Sequence, residues 1–87
     1  MNVEMAIQTV VHTFQKWAGR DGRINKQQFS HLLQSDLRHY LTGTGYGAPE
    51  QRFWGHIMGN NSNGKMTFEK YLEFVQMLAS QVREAGY

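Results

Sequence analysis

A chain of 87 residues, 40% hydrophobic and 18% charged, has room for one small globular domain and not for two. Its formal charge of +2, with a pI near 9.2, is too mild to signal nucleic acid where no basic run or aromatic–basic stripe occurs. Zero cysteines exclude a disulfide framework, a thiolate metal site and a cysteine nucleophile. The opening Met-Asn-Val-Glu has neither a basic n-region nor an apolar h-region, and no apolar run reaches membrane-spanning length. The expectation is a cytoplasmic protein made without a signal peptide, with leaderless export left open and membrane contact only indirect.

Taken in order, the chain reads as four helices, an all-α pattern. Val3, Ile7, Val10, Phe14 and Trp17 recur at spacings of three and four, which predicts an amphipathic helix over 3–17 with Glu4, Gln8, His12 and Lys16 as its polar stripe. Ala18-Gly-Arg-Asp-Gly-Arg23 breaks that period. From about Lys26, Phe29, Leu32, Leu33, Leu37, Tyr40 and Leu41 mark a second helix. Gly-rich 42–47 reads as a hinge, and Pro49 is well placed to open a third helix that ends near Met58. Gly55 inside it costs about 1 kcal/mol relative to alanine, so that helix should be short or closely packed there. A fourth helix runs from Phe68 to about Glu84. Its apolar residues, Phe68, Tyr71, Leu72, Val75, Leu78 and Val82 with Phe74, Met77 and Ala79, cover more than one stripe. A helix apolar over so much of its circumference is buried on more than one side, and a chain this short does not easily supply both covers.

Between the third and fourth helices, Gly59 to Lys70 has the skeleton of an EF-hand calcium loop, with Gly64 sixth for the sharp turn and Met66 eighth. Such a loop needs oxygen ligands at positions one, three, five, nine and twelve, the last a bidentate glutamate. Here those positions are Gly59, Asn61, Asn63, Thr67 and Lys70, with no carboxylate among them. A lysine at position twelve either turns its ammonium to the loop carbonyls or stands in solvent. A divalent ion about 4 Å from it would meet a repulsion of order 8 kcal/mol at an effective dielectric of about 20. The first half repeats the pattern. Gly22 matches Gly64, Ile24 matches Met66, Gln28 matches Lys70 and Phe29 matches Tyr71, at a constant offset of 42 (64 less 22). The first loop, Trp17 to Gln28, retains one carboxylate, Asp21, and ends in neutral Gln28. Paired loops meet through their eighth residues, so Ile24 and Met66 should lie side by side.

Helix-loop-helix, hinge and helix-loop-helix in this length resemble the S-100 family of dimeric EF-hand proteins. Phe14-Gln-Lys-Trp-Ala-Gly19 is similar to the family's first-helix ending, and Asn63-Gly-Lys-Met-Thr-Phe68 to its second loop. The resemblance implies one S-100-like domain over 1–87: a pseudo EF-hand at 3–41, a hinge at 42–48 and a degenerate EF-hand at 49–85. It also implies a homodimer built on the first and fourth helices. The shortened first loop and missing acidic ligands are most similar to the calcium-insensitive annexin (calpactin) light-chain branch. That branch's aromatic pair at the end of the fourth helix falls on Ala85-Gly86 here, which counts against annexin itself as the partner. The family's zinc-binding His-x-x-x-His on the fourth helix is absent. His31 and His39 stand about 12 Å apart along a helix, too far to share an ion.

No catalytic set, metal-ligand set or cofactor motif emerges. Gly43-x-Gly-x-Gly47 lacks a preceding strand, and the expectation is a protein that is not an enzyme. Three functional readings stay open. The first is a calcium-insensitive adaptor whose homodimer binds an amphipathic helix of another protein. The resemblance places that groove at Leu37, Tyr40 and Leu41 by the hinge, Leu78 and Val82 on the fourth helix, and Glu4, Ile7, Gln8 and Val11 of the other subunit's first helix. The second is a weak calcium or other metal-ion sensor. The third is a basic module that meets anionic membrane or polyanion through Arg20, Arg23, Lys26 and Lys65.

Overall fold

Three of the helices begin where a short polar side chain satisfies a free backbone N–H group. The computed structural model describes residues 2–38, 49–61 and 63–84. Helix α1 (Val3–Trp17) starts at Asn2, whose side chain accepts from the Met5 N–H at 2.8 Å. Helix α2 (Lys26–Asp36) opens on a reciprocal cap. Asn25 Oδ1 accepts from the Gln28 N–H at 2.7 Å, and Gln28 Oε1 accepts from the Asn25 N–H at 2.7 Å. Helix α3 (Pro49–Met58) runs into a 3₁₀ turn (Gly59–Asn61). Helix α4 (Phe68–Glu84) follows Thr67, whose hydroxyl accepts from the Lys70 N–H at 3.3 Å.

The fold is all-α, a pair of EF-hand helix-loop-helix units, and the β pairing among the described residues is one isolated antiparallel bridge between Ile24 and Met66. The Ile24 N–H donates to Met66 O at 2.9 Å and the Met66 N–H to Ile24 O at 2.7 Å, with both side chains fully buried. Around them packs an aromatic core. Phe29 meets Phe74 at 5.0 Å and Trp54 at 5.4 Å between ring centroids, Phe53 meets Phe74 at 5.5 Å, and Phe14 meets Tyr71 at 5.2 Å. These spacings suit edge-on and tilted ring pairs. Leu32 and Leu33 close the same core from α2.

Three expectations need correction. Helix α2 stops at Asp36 rather than near Leu41, and Leu37 is its C-cap with non-helical dihedrals. The stop follows from Asp36, whose carboxylate opposes the negative end of the helix dipole and is held from outside α2. Trp17 Nε1 donates to it at 2.6 Å, and the Lys16 ammonium lies 3.5 Å away. His39, Tyr40 and Leu41 lie outside the described residues. Helix α3 is short, at 10 residues, as an interior glycine leads one to expect, and Gly55 is exposed with open space around its Cα, so helix packing does not require it. Phe74 is wholly inside the chain's own core, so it is not surplus surface left for a second copy. Gly64 does not adopt the left-handed turn that Gly22 takes at φ +74°. It is needed for closeness instead, because a Cβ there would lie 2.7–2.9 Å from the Asn61 carboxamide.

Two substitutions test this packing by urea unfolding. Gly55→Ala should raise stability by about 0.5–1 kcal/mol, since it adds helix propensity at no steric cost. Phe74→Asp should cost more than about 3 kcal/mol, because it empties a ring site and buries an unpaired charge.

Candidate functional site

Both loops have turned their polar groups onto themselves. In the first, Trp17 is still helical at the position of the first ligand, and its indole N–H is committed to Asp36. The Gly19 N–H donates to Arg23 O at 2.8 Å and closes the loop. Asp21 Oδ1 accepts from the Arg23 N–H at 3.1 Å, while Oδ2 accepts from the Lys65 ammonium at 2.8 Å. The Lys65 hydrogen bond, followed by that of the Arg23 backbone, holds the Asp21 carboxyl below the usual carboxylate range. Gln28, at the clamp position, uses its carbonyl oxygen on the Asn25 N–H.

The second loop behaves alike. Gly59 takes a positive φ of 56°, and the Asn61 carboxamide lies over Gly64, whose N–H donates to Asn61 O at 2.9 Å. Asn63 is exposed. Thr67 caps α4, and Lys70 reaches Glu73 Oε2 at 3.3 Å on the outside of that helix. The ammonium therefore does not turn into the loop, and the repulsion it would exert there is not a standing feature of the site. Among the described residues, no three His, Asp or Glu side chains gather as a metal-ligand group.

The groove residues separate into three sets. Leu37, Leu78 and Val82 come together on an open cavity of about 540 Å³ walled also by Val10, Tyr71 and Val75. That cavity lies between α1 and α4 at the end of α2, and among the described residues none of α3 lines it. Glu4, Ile7 and Gln8 stand exposed on α1. Val11 lines a different cavity, beside Phe14 and Phe68. Tyr40 and Leu41 fall outside the described residues. Val10 and Val75 were not picked out, although Val75, Leu78 and Val82 share a helical period that could have brought Val75 in. Asp36 and Tyr71 both line the cavity, Asp36 exposed and Tyr71 buried. Burial, with a smaller contribution from the Asp36 charge, pushes the Tyr71 hydroxyl up to about 12.

Aligned with known proteins, the chain is 32% identical over 85 residues to Protein S100-A13 of Mus musculus, covering 94% of this chain and 83% of that one. The chain belongs to the S-100 family. The S-100/ICaBP type calcium binding domain model matches residues 3–44 of this S-100 protein. Protein S100-A13 of Bos taurus is 29% identical over 94% of this chain and 83% of its own. Protein S100-A16 of Bos taurus is 25% identical over 92% and 81% respectively.

Tyr71 gives this S-100 protein a marked alkaline limit. A phenol whose folded pKa is raised from 10 to about 12 leaves stability whole below pH 10 and removes it as pH rises through 12. The loss should reach about 2–3 kcal/mol. Absorbance titration near 295 nm should show one of the four tyrosines ionising late, together with unfolding.

Proposed function

We propose that this S-100 protein is a calcium-insensitive adaptor, a homodimer that receives an amphipathic helical segment of another protein. One observation carries the first half of the reading: four of the side chains at ligand positions are already engaged within the chain. Asp21 is held by Lys65, Gln28 by Asn25, and Lys70 by Glu73, while Thr67 accepts from the Lys70 N–H. An ion would have to break these contacts and would gain no second carboxylate from the ligand positions of either loop, as a calcium site requires. The loops then behave as in the annexin light-chain branch they resemble, holding one shape with or without calcium.

The adaptor role rests on apolar surface that the chain does not cover. Val3, Met5 and Ile7 on α1 are 75%, 53% and 59% exposed, and Leu72 on α4 is 41% exposed. A second copy related by a two-fold axis would cover such a face, since an isologous contact pairs one patch with itself. The helical segment would take the cavity at Leu37, Leu78 and Val82, with Glu4, Ile7, Gln8 and Val11 of the second copy as its other wall. Tyr40 and Leu41 would close it at the hinge. In this reading 1–87 is a single S-100 domain, with hands at 3–41 and 49–85 joined by a hinge at 42–48. None of its roles is catalytic. A cytoplasmic setting suits a fold that uses no disulfide.

Calorimetric titration with calcium should give no heat of binding up to millimolar concentration. The combined variant Asn61→Asp, Asn63→Asp and Lys70→Glu should restore it, because it returns carboxylates to positions three, five and twelve. Sub-millimolar binding by the unaltered protein would remove calcium insensitivity from the proposal.

Light scattering at micromolar concentration should return twice the 10.1 kDa chain mass. Ile7→Asp should shift that mass towards the monomer while circular dichroism stays helical, since Ile7 is exposed within one chain.

A further inference from the structure

The side chains of Arg20, Arg23 and Lys26 belong neither to the apolar face nor to the internal ties of the loops. All three are exposed, and no ion pair of theirs occurs among the described residues. The loop backbone turns tightly between them. The Gly19–Arg23 hydrogen bond folds the segment back on itself at 2.8 Å. A Cβ on Gly19 would lie 3.3 Å from Asp21 and 3.5 Å from Gln28, in the first turn of α2. The one carboxylate of residues 18–27 is Asp21, and Lys65 from the other loop already neutralises it at 2.8 Å.

Two further features point the same way. Helix α2 has no acidic residue in its first turn, so the positive end of its dipole faces outward uncompensated, with Lys26 added to it. Running off from Lys26 is a groove of about 380 Å³ lined by Lys26, Gln27, Ser30 and Gln51. Besides its one ammonium, it offers two carboxamides and a hydroxyl, groups that pair with peptide N–H and C=O.

We infer that the N-terminal end of α2, with Arg20, Arg23 and Lys26 beside this polar groove, is a docking surface for an acidic, extended segment of a partner protein. The partner's carboxylates would meet the two guanidinium forks and the ammonium, and its backbone would lie along Gln27, Ser30 and Gln51. A flat anionic membrane fits less well. Among the described residues the exposed large apolar ones are Val3, Met5, Ile7 and Leu72, so residues 18–27 offer none to insert, and a lipid surface cannot enter the groove. This surface is separate from the α1/α4 cavity and does not depend on how that cavity is used.

The test is fluorescence anisotropy with a short labelled peptide of alternating glutamate and serine, against its glutamine counterpart, on the full chain. The acidic peptide should bind at about 50 mM salt and be released by about 500 mM, as a screened surface contact requires. Arg20→Gln with Arg23→Gln should weaken it about 5- to 20-fold, at about 2- to 5-fold per exposed charge. Gln51→Glu should also weaken it, by placing a like charge in the groove. Arg38→Gln, beyond the far end of α2, should change it less than about 2-fold through long-range charge alone. On the unaltered protein, amide shifts should fall between Gly19 and Ser30 and at Gln51. Equal binding of the glutamine peptide, or equal losses from Arg38→Gln and Arg23→Gln, would overturn the inference. So would binding to phosphatidylserine vesicles with none to the peptide.

Discussion

The backbone pairing of Ile24 with Met66 is the contact on which the rest of the molecule depends. It is two hydrogen bonds, at 2.9 and 2.7 Å, between residues fully removed from water. A buried N–H or carbonyl without a partner would cost the full desolvation penalty of the group. The two loops therefore hold each other, and neither helix-loop-helix unit has this partner alone. Once the bridge is made, Phe29 on α2 is set against Phe74 on α4. Outside the bridge, the Asp21–Lys65 pair links the same two loops a second time. That exposed pair adds little to stability by itself, yet it puts a lysine ammonium on the one carboxylate of the first loop.

Belonging to the S-100 family raises the question of what becomes of a calcium-binding design when its ligands are lost. The answer here is chemical substitution within the same skeleton. An EF-hand loop is held in a tight turn by oxygen atoms converging on a cation. In this chain neutral amides and a hydroxyl take over the turning. Gln28 joins the cap of α2, Thr67 caps α4, and the Asn61 carboxamide rests on Gly64. Each group satisfies a backbone donor or fills a gap, and none needs an ion to stay in place. A loop shaped in this way is held by contacts within the chain.

The surface divides into two kinds of chemistry. Along α1 and the outward side of α4 lie exposed valine, isoleucine, methionine and leucine, which favour burial against another helix. On the first loop and the start of α2 stand exposed Arg20, Arg23 and Lys26, which favour contact with carboxylates. The first kind supplies affinity in proportion to area. The second supplies orientation and rate of encounter, and it weakens with salt. The two surfaces differ in chemistry, one apolar and one basic, and they draw on different residues.

Much of this was legible in the residues alone. The spacing of Val3 to Trp17 and of Phe68 to Val82 set two helices, and the paired glycine and apolar positions set the two loops and the meeting of Ile24 with Met66. The loss of carboxylates at loop ligand positions was equally plain, because it depends on residue identity and not on geometry. What needed the tertiary structure was every question of which way a side chain turns. Phe74 and Leu72 are both apolar and on one helix, yet one is sealed inside the core and the other stands in solvent. Leu37 looked like the middle of α2 and is its cap, because Trp17 and Lys16 from another helix hold Asp36 at the end. Lys70 had two directions open and took Glu73; Gly64 looked like a turn residue and is a contact surface for Asn61. Periodicity reports what a helix can bury, whereas partners distant in sequence decide what it does bury. Those partners exist only once the chain has folded.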